Sequence, residues 1–259
     1  MARGLSLYAE GSSPLHRAHP LTKATLTLCA IGLAFILPSW PLVLGVGVAL
    51  LSLLAAAGVL RRFLFVAAGL LVPITLLLAL VQSLANPHNQ TVILPLGPLA
   101  VHREGLYIGL LAALRIADLV AATFLFSFTT RPADLAEALM QRGLSPRFGY
   151  VIQSALQIIP QSLETADRIR DAQRARGLET EGPLPRRARA FIPLLLPLVL
   201  SALVATQERA MALEVRGFGL KVGRLARYRI PDSLGQRVLR WGLALAVVAA
   251  LAARLRGWL

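Results

Sequence analysis

Long apolar runs with almost no charge, separated by arginine-rich segments, constrain this chain more than any other feature of its sequence. They occupy residues 24–37, 42–60, 63–84, 106–128, 191–213 and 238–255. A run of about 18 or more apolar residues reads as a membrane-spanning helix. Only 15% of the chain is charged and 56% is hydrophobic, whereas a soluble domain carries about a quarter charged residues. The runs therefore predict an all-α, polytopic membrane protein.

The charge is distributed as a membrane protein requires. Net charge is +14, almost all of it from arginine, with Lys23 and Lys221 the only lysines. The arginines cluster between the apolar runs, as the positive-inside rule expects of cytoplasmic loops. That distribution points to a lipid bilayer and argues against nucleic acid. The single cysteine, Cys29, lies within an apolar run and reads as a small core residue.

The first run, 24–37, is short, and Arg17 and Lys23 ahead of it also fit a signal peptide. Pro38-Ser39-Trp40-Pro41 is a poor cleavage site and a good tight turn, which favours a helical hairpin into run 42–60. Arg61-Arg62 then marks a cytoplasmic end before run 63–84. Residues 85–104 read as a polar outer loop that includes His88, and 106–128 as the fourth span. Residues 131–190 hold ten arginines. Within them, 132–141 reads as a short amphipathic helix ending at Gly143. Residues 150–176 read as a long one that Pro160 should bend or divide, with Gly177 as its stop. Residues 179–189 read as a charged linker, and 217–237 as a Gly- and Arg-rich stretch. Run 191–213 carries Pro193 and Pro197 and reads as a helix partly in the membrane interface. The count is thus five spans, or six if that run also crosses, and Arg254 and Arg256 favour the even number. This gives three parts: 1–129, a membrane domain of four spans; 130–232, an interfacial part; and 233–259, a last span.

Catalytic signatures are absent. Neither lysine follows a glycine, so no Walker A loop exists, and there is no His-Glu-x-x-His or Gly-x-Ser-x-Gly. His16 and His19 lack a nearby cysteine or carboxylate, so no metal and no cofactor are expected. Arg115 and Asp118, in the middle of the fourth run, are costly there, at about 2.5–3.5 kcal/mol each. Their i, i+3 spacing predicts an intramembrane ion pair.

Two helix endings repeat a pattern. One closes Ala175-Arg176-Gly177 and the next closes Val215-Arg216-Gly217. Glycine commonly ends a helix and arginine suits its C-terminal dipole. The same ending on successive amphipathic helices also sets a rigid, planar, permanently charged fork at each tip, suited to a partner's carboxylate.

These endings resemble the paired Ala-Arg-Gly-type motifs of the transmembrane T component of energy-coupling factor (ECF) transporters, the EcfT/CbiQ family. The opening Ser13-Pro14-Leu15-His16-Arg17-Ala18-His19-Pro20-Leu21-Thr22-Lys23 is similar to that family's N-terminal segment. So is the stretch with Thr129, Thr130, Pro132, Leu135, Ala138, Leu139 and Gly143. Val215 stands where Ala is commoner. The resemblance implies a non-catalytic scaffold of the inner (cytoplasmic) membrane with a cytoplasmic pair of coupling helices. It implies docking of two ABC ATPase subunits, of the A and A′ type, through Ala175, Arg176, Gly177, Val215, Arg216 and Gly217. It also implies a separate membrane S component that binds a vitamin or a transition-metal ion. The alternative is a conventional ABC permease that binds its own substrate, which would usually offer one coupling motif rather than two.

Overall fold

A computed structural model describes residues 13–87, 91–96, 99–178, 183–218 and 231–257. Its helices are α1 (Pro14–Arg17), α2 (Pro20–Ile36), α3 (Trp40–Ala56), α4 (Leu60–Ala85), α5 (Arg103–Thr129), α6 (Pro132–Met140), α7 (Pro146–Ala175), α8 (Leu184–Val215) and α9 (Leu234–Leu255). Within the expected polar loop a small antiparallel hairpin forms from β1 (Val92–Leu96) and β2 (Leu99–His102); His88 lies outside the described residues. The chain forms two compact units, Arg3–Leu139 with Ile230–Leu259, and Met140–Arg229.

In the first unit each long helix starts and stops where local chemistry dictates. His19 accepts a hydrogen bond from the Leu21 N–H at 3.2 Å and Pro20 opens α2, a position where its missing N–H costs nothing. Pro38 then prevents α2 from continuing. Gly58, at φ +73°, ends α3. Phe63, Phe124 and Phe128 stack edge-to-face at 6.0 and 5.2 Å in a core shared by α3, α4 and α5. Outside it, Phe65 and Leu76 on α4 are exposed, as residues facing lipid should be.

The helix α5 packs on α2, α3 and α4. Its contact with α4 is made by small residues: Gly105, Gly109 and Ala113 are buried at four-residue intervals. A Cβ at Gly109 would meet the Leu78 carbonyl oxygen at 2.8 Å and the Ala79 Cα at 3.0 Å. Lipid tails are as apolar as leucine, so close backbone packing through small residues is what drives such helices together.

Polar contacts fix which helix ends lie together. At one end Lys23 Nζ donates to the carbonyls of Thr129 (2.7 Å) and His16 (3.0 Å). The Arg62 guanidinium sits 5.4 Å from the Phe128 ring centroid, a cation–π contact. Arg240 donates to Thr22 Oγ1 at 3.0 Å and to both carboxylate oxygens of Asp232 at 2.9 and 2.7 Å. At the other end Arg115 donates to the Leu37 carbonyl (2.9 Å), and Arg254 to those of Phe35 (2.8 Å) and Ile36 (2.9 Å). Two guanidiniums thus satisfy the orphan carbonyls at the negative end of the α2 dipole.

These contacts set the directions of the helices. The end of α9 lies beside the end of α2, so the two helices are parallel, while α3, α4 and α5 alternate in direction. Helix α5 ends at Thr129 and α9 is entered from Asp232, both at the Lys23 end. Phe191–Val215 of α8 is long and apolar enough to cross a membrane. Among the described residues the others of that length and character are α4, α5 and α9, while α2 and α3 are shorter apolar helices. Arg254 is engaged in capping α2.

The Arg240 guanidinium holds the Asp232 carboxyl well below its usual range, at about 2. The pair is largely shielded, with side chains 12% and 14% exposed. A carboxylate whose pKa falls on folding stabilises the fold above its unfolded pKa and stops doing so as pH drops through the folded one. Asp232→Asn should therefore cost about 2 kcal/mol at neutral pH. Thermal unfolding in detergent should show the deficit shrinking between about pH 4 and pH 2. A constant deficit across that range would mean the carboxylate charge plays no part.

In the second unit α7 runs unbroken through Pro160, so that proline does not divide the helix. The stretch 179–189 is not a linker throughout. Helix α8 starts at Leu184, with a proline in its first turn, where its ring is pre-set for helix. Residues 179–182 and 219–230 lie outside the described residues, the latter covering most of the Gly- and Arg-rich stretch.

Candidate functional site: two arginine-tipped helix ends

The helices α7 and α8 pack against each other in opposite directions. The Tyr150 ring near the start of α7 meets Phe218, just past the end of α8, at 5.0 Å in an edge-on arrangement. Further along, Arg209 donates to Gln161 Oε1. Further still, Asp167 and Arg170 share a small cavity with Phe191, Leu194 and Leu198. The paired positions shift steadily in opposite senses, which defines an antiparallel pair.

Both helices end in the same way. In α7 the Gly177 N–H donates to the Arg174 carbonyl at 2.9 Å and the Leu178 N–H to the Gln173 carbonyl at 3.0 Å. In α8 the Gly217 N–H donates to Glu214 at 2.9 Å and the Phe218 N–H to Leu213 at 3.0 Å. These paired bonds make a Schellman motif. It requires a left-handed residue after the cap, and Gly177 and Gly217 supply it at φ +87° and +68°. The cap residue itself is Arg176 in one case and Arg216 in the other.

Each arginine therefore sits at a fixed position on a rigid helix terminus. Arg176 and Arg216 are exposed, as are Ala175, Gly177 and Val215, while Gly217 is half-buried. Among the described residues neither guanidinium has an ion-pair partner. Other charges on α7 pair locally, as in Arg170–Asp167 at 2.7 Å. Because the helices are antiparallel, their C-terminal ends point opposite ways. The pairing register puts the arginines about 35 Å apart along the helix axes. Beside Arg216 a groove of about 250 Å³ is lined by Tyr150, Ser154, Gln157 and Arg209. The arrangement can present two cations to two separate anionic surfaces. It assembles no nucleophile, general base or metal set; among the described residues no cluster of three or more His, Cys, Asp or Glu side chains occurs.

The other expected site does not assemble. Arg115 and Asp118 share a helix face, but Arg115 turns to the end of α2 and Asp118 to Gly47 on α3, where a Cβ would lie 2.6 Å from its Oδ1. The carbonyl of Leu37 at the end of α2 takes the guanidinium. Sequence reading also missed the Asp232–Arg240–Thr22 contact, although Asp232 is the only acidic residue after Glu214 in an arginine-rich tail. His16 Nδ1 shares a 2.7 Å hydrogen bond with Ser13 Oγ, and His19 caps α2 while its backbone N–H donates to Gln236 Oε1 at 3.1 Å.

Known proteins are similar to this sequence. The profile of the family described as CbiQ, cobalt transport protein, matches residues 11–225. The chain is 31% identical over 235 residues to the energy-coupling factor transporter transmembrane protein EcfT of Bacillus subtilis (strain 168), covering 86% of each protein. It is 33% identical over 248 residues to the protein of the same name from Thermanaerovibrio acidaminovorans, covering 92% of this chain and 88% of the relative. With the multi-pass helical fold, these matches show that the chain belongs to the EcfT/CbiQ family, the transmembrane T components of energy-coupling factor transporters.

Proposed function

We propose that this chain is the scaffold subunit of an ECF-type importer of the inner membrane, coupling ATP hydrolysis on two ABC ATPase subunits to uptake of a vitamin or a transition-metal ion. The cargo is bound by a separate membrane S component, and hydrolysis takes place on the partner subunits. Arg176 and Arg216 dock the A and A′ type ATPases, with Ala175, Gly177, Val215 and Gly217 shaping the two tips. Residues 130–232 form the cytoplasmic coupling part between the four spans of 1–129 and the last span of 233–259. The Lys23, Arg62 and Arg240 end of the spans faces the cytoplasm, because basic residues stay on that side.

The observation that carries this reading is the duplicated helix end. One capping arginine needs no partner to explain it. Two identical tips on antiparallel helices suit a scaffold that grips two like subunits, each through a bidentate, charge-assisted contact. The test is co-purification through a tag on this chain, expressed with an ATPase pair. Wild type should retain both ATPases, and Arg176→Glu with Arg216→Glu together should retain neither. Equal retention by the two would make the arginines caps only.

A further inference from the structure

The chain passes from the first unit into the second beyond Leu139 and returns at Ile230. Inside the first unit both connections are tied to one turn of chain at the start of α2. On the outgoing side Lys23 Nζ donates to the carbonyl of Thr129, the last residue of α5, at 2.7 Å, and to that of His16 at 3.0 Å. The Asp134 carboxylate, in the first turn of α6, acts on the same ammonium through space. On the returning side Arg240 joins Thr22 Oγ1 to the Asp232 carboxylate. The Gln236 side chain accepts from the His19 N–H at 3.1 Å. His19, Thr22 and Lys23 thus hold both the point where α5 ends and the point where α9 begins.

Packing does not account for a lysine here. Its side chain is 7% exposed. Burying an ammonium is costly even with acceptors, and an apolar residue would fill the same space without that desolvation. What a buried charge supplies is a specified arrangement, because its acceptors must stay within reach. The junction it holds also has a bond unmade. Thr130, which caps α5, has a buried Oγ1 with no hydrogen-bond partner. Buried hydroxyls are normally paired, so this junction has a bond left to make in another arrangement.

We propose that Lys23 is the positioning residue that carries movement of the coupling helices into the spans: it locks the end of α5 to the turn that also holds the start of α9, so that α2, α5 and α9 respond together. This rests on the importer reading, in which nucleotide on the ATPases moves the coupling part. Without the ammonium the junction at Thr129 and Thr130 is a free hinge, and movement of α6 ends there.

The test is amide hydrogen exchange on the complex of this chain with the ATPase pair in nanodiscs, with and without ATP and vanadate. The reporters are the N–H groups of His19, bonded to Gln236, of Thr22 and Lys23, bonded to the His19 carbonyl, and of Thr130, bonded to Phe126. In wild type, trapping should change exchange at all of them, and more than in α3, which packs on α5 without such a clamp. Lys23→Met should lose the response at 19–23 and keep it in 132–140, with both ATPases retained and hydrolysing ATP. Lys23→Arg keeps the charge and donors and should restore the response. A response at 19–23 in Lys23→Met equal to wild type would overturn the proposal. Because Lys23→Met can also misfold, the wild-type comparison decides by itself: a response at 19–23 no larger than in α3 overturns the proposal, and a larger one shared with 232–240 supports it. Wild-type chain that retains no ATPase would refute the importer reading and the proposal with it. Retained, hydrolysing ATPases with a silent α2 turn would refute the proposal alone.

Discussion

Arg176→Glu and Arg216→Glu, made one at a time, should each weaken binding of the ATPase pair by about 30-fold or more. Removing one partner of a desolvated, hydrogen-bonded charge pair costs about 2–5 kcal/mol, and 1.4 kcal/mol is tenfold. Reversing the charge adds repulsion. Arg→Lys should fall between wild type and Ala, because an ammonium keeps the charge but loses the planar fork. The chain itself should be nearly untouched. Both side chains are exposed, and the bonds that end the helices are made by backbone groups at Gly177, Leu178, Gly217 and Phe218. Exposed substitutions of this kind change stability by about 0.5 kcal/mol, or 1 kcal/mol with loss of the dipole interaction. Titration of purified ATPases onto chain in nanodiscs, beside thermal unfolding of the same samples, separates the two effects. Equal affinity for wild type and both variants would place docking elsewhere.

The largest structural effect should come from Gly109→Leu. The atoms a new side chain would meet are backbone, Leu78 O at 2.8 Å and Ala79 Cα at 3.0 Å, and backbone within a helix cannot swing aside. The helices α4 and α5 must separate, disturbing the small-residue stripe of Gly105 and Ala113 as well. Overpacking costs about 3 kcal/mol, which lowers Tm by about 6–12 °C in a chain of this size. Leu110→Ala, at a neighbouring position 48% exposed, should leave Tm almost unchanged. Thermal unfolding in detergent with size-exclusion chromatography reads both. A Gly109→Leu chain with wild-type Tm would show that the α4–α5 approach is not as close as described.

Much of this architecture is legible in the sequence. Runs such as 63–84 and 106–128 read as spans, because a chain of this length has no core large enough to bury them. The glycine stops at 177 and 217 are equally plain, since a left-handed position selects glycine. Other features depend on partners that are distant in sequence. The i, i+3 spacing of Arg115 and Asp118 says that they share a face. It does not say that the carbonyl of Leu37 lies in reach of that arginine, or that Gly47 leaves room for the carboxyl. The charge and prolines of 179–189 suggested a linker, whereas Pro at the first turn is a helix-start signal and α8 begins at Leu184. The Gly105-x-x-x-Gly109 spacing was available as a packing signal and its weight emerges only once α4 is seen against it. The antiparallel pairing of α7 and α8, which separates the two arginines, depends on contacts such as Tyr150–Phe218 that no local pattern encodes.

The most direct test of the two-tip scaffold is the composition of a double crosslink. A photoreactive residue would replace Ala175 and, in a second site on the same chain, Val215, beside the two arginines and leaving both in place. After irradiation of the complex with the ATPase pair, intact-mass analysis would count ATPases per chain. The account predicts a product of one chain with two ATPases, one linked at each tip, and single-site chains that each capture one. Capture at one tip only, or at neither, would contradict it.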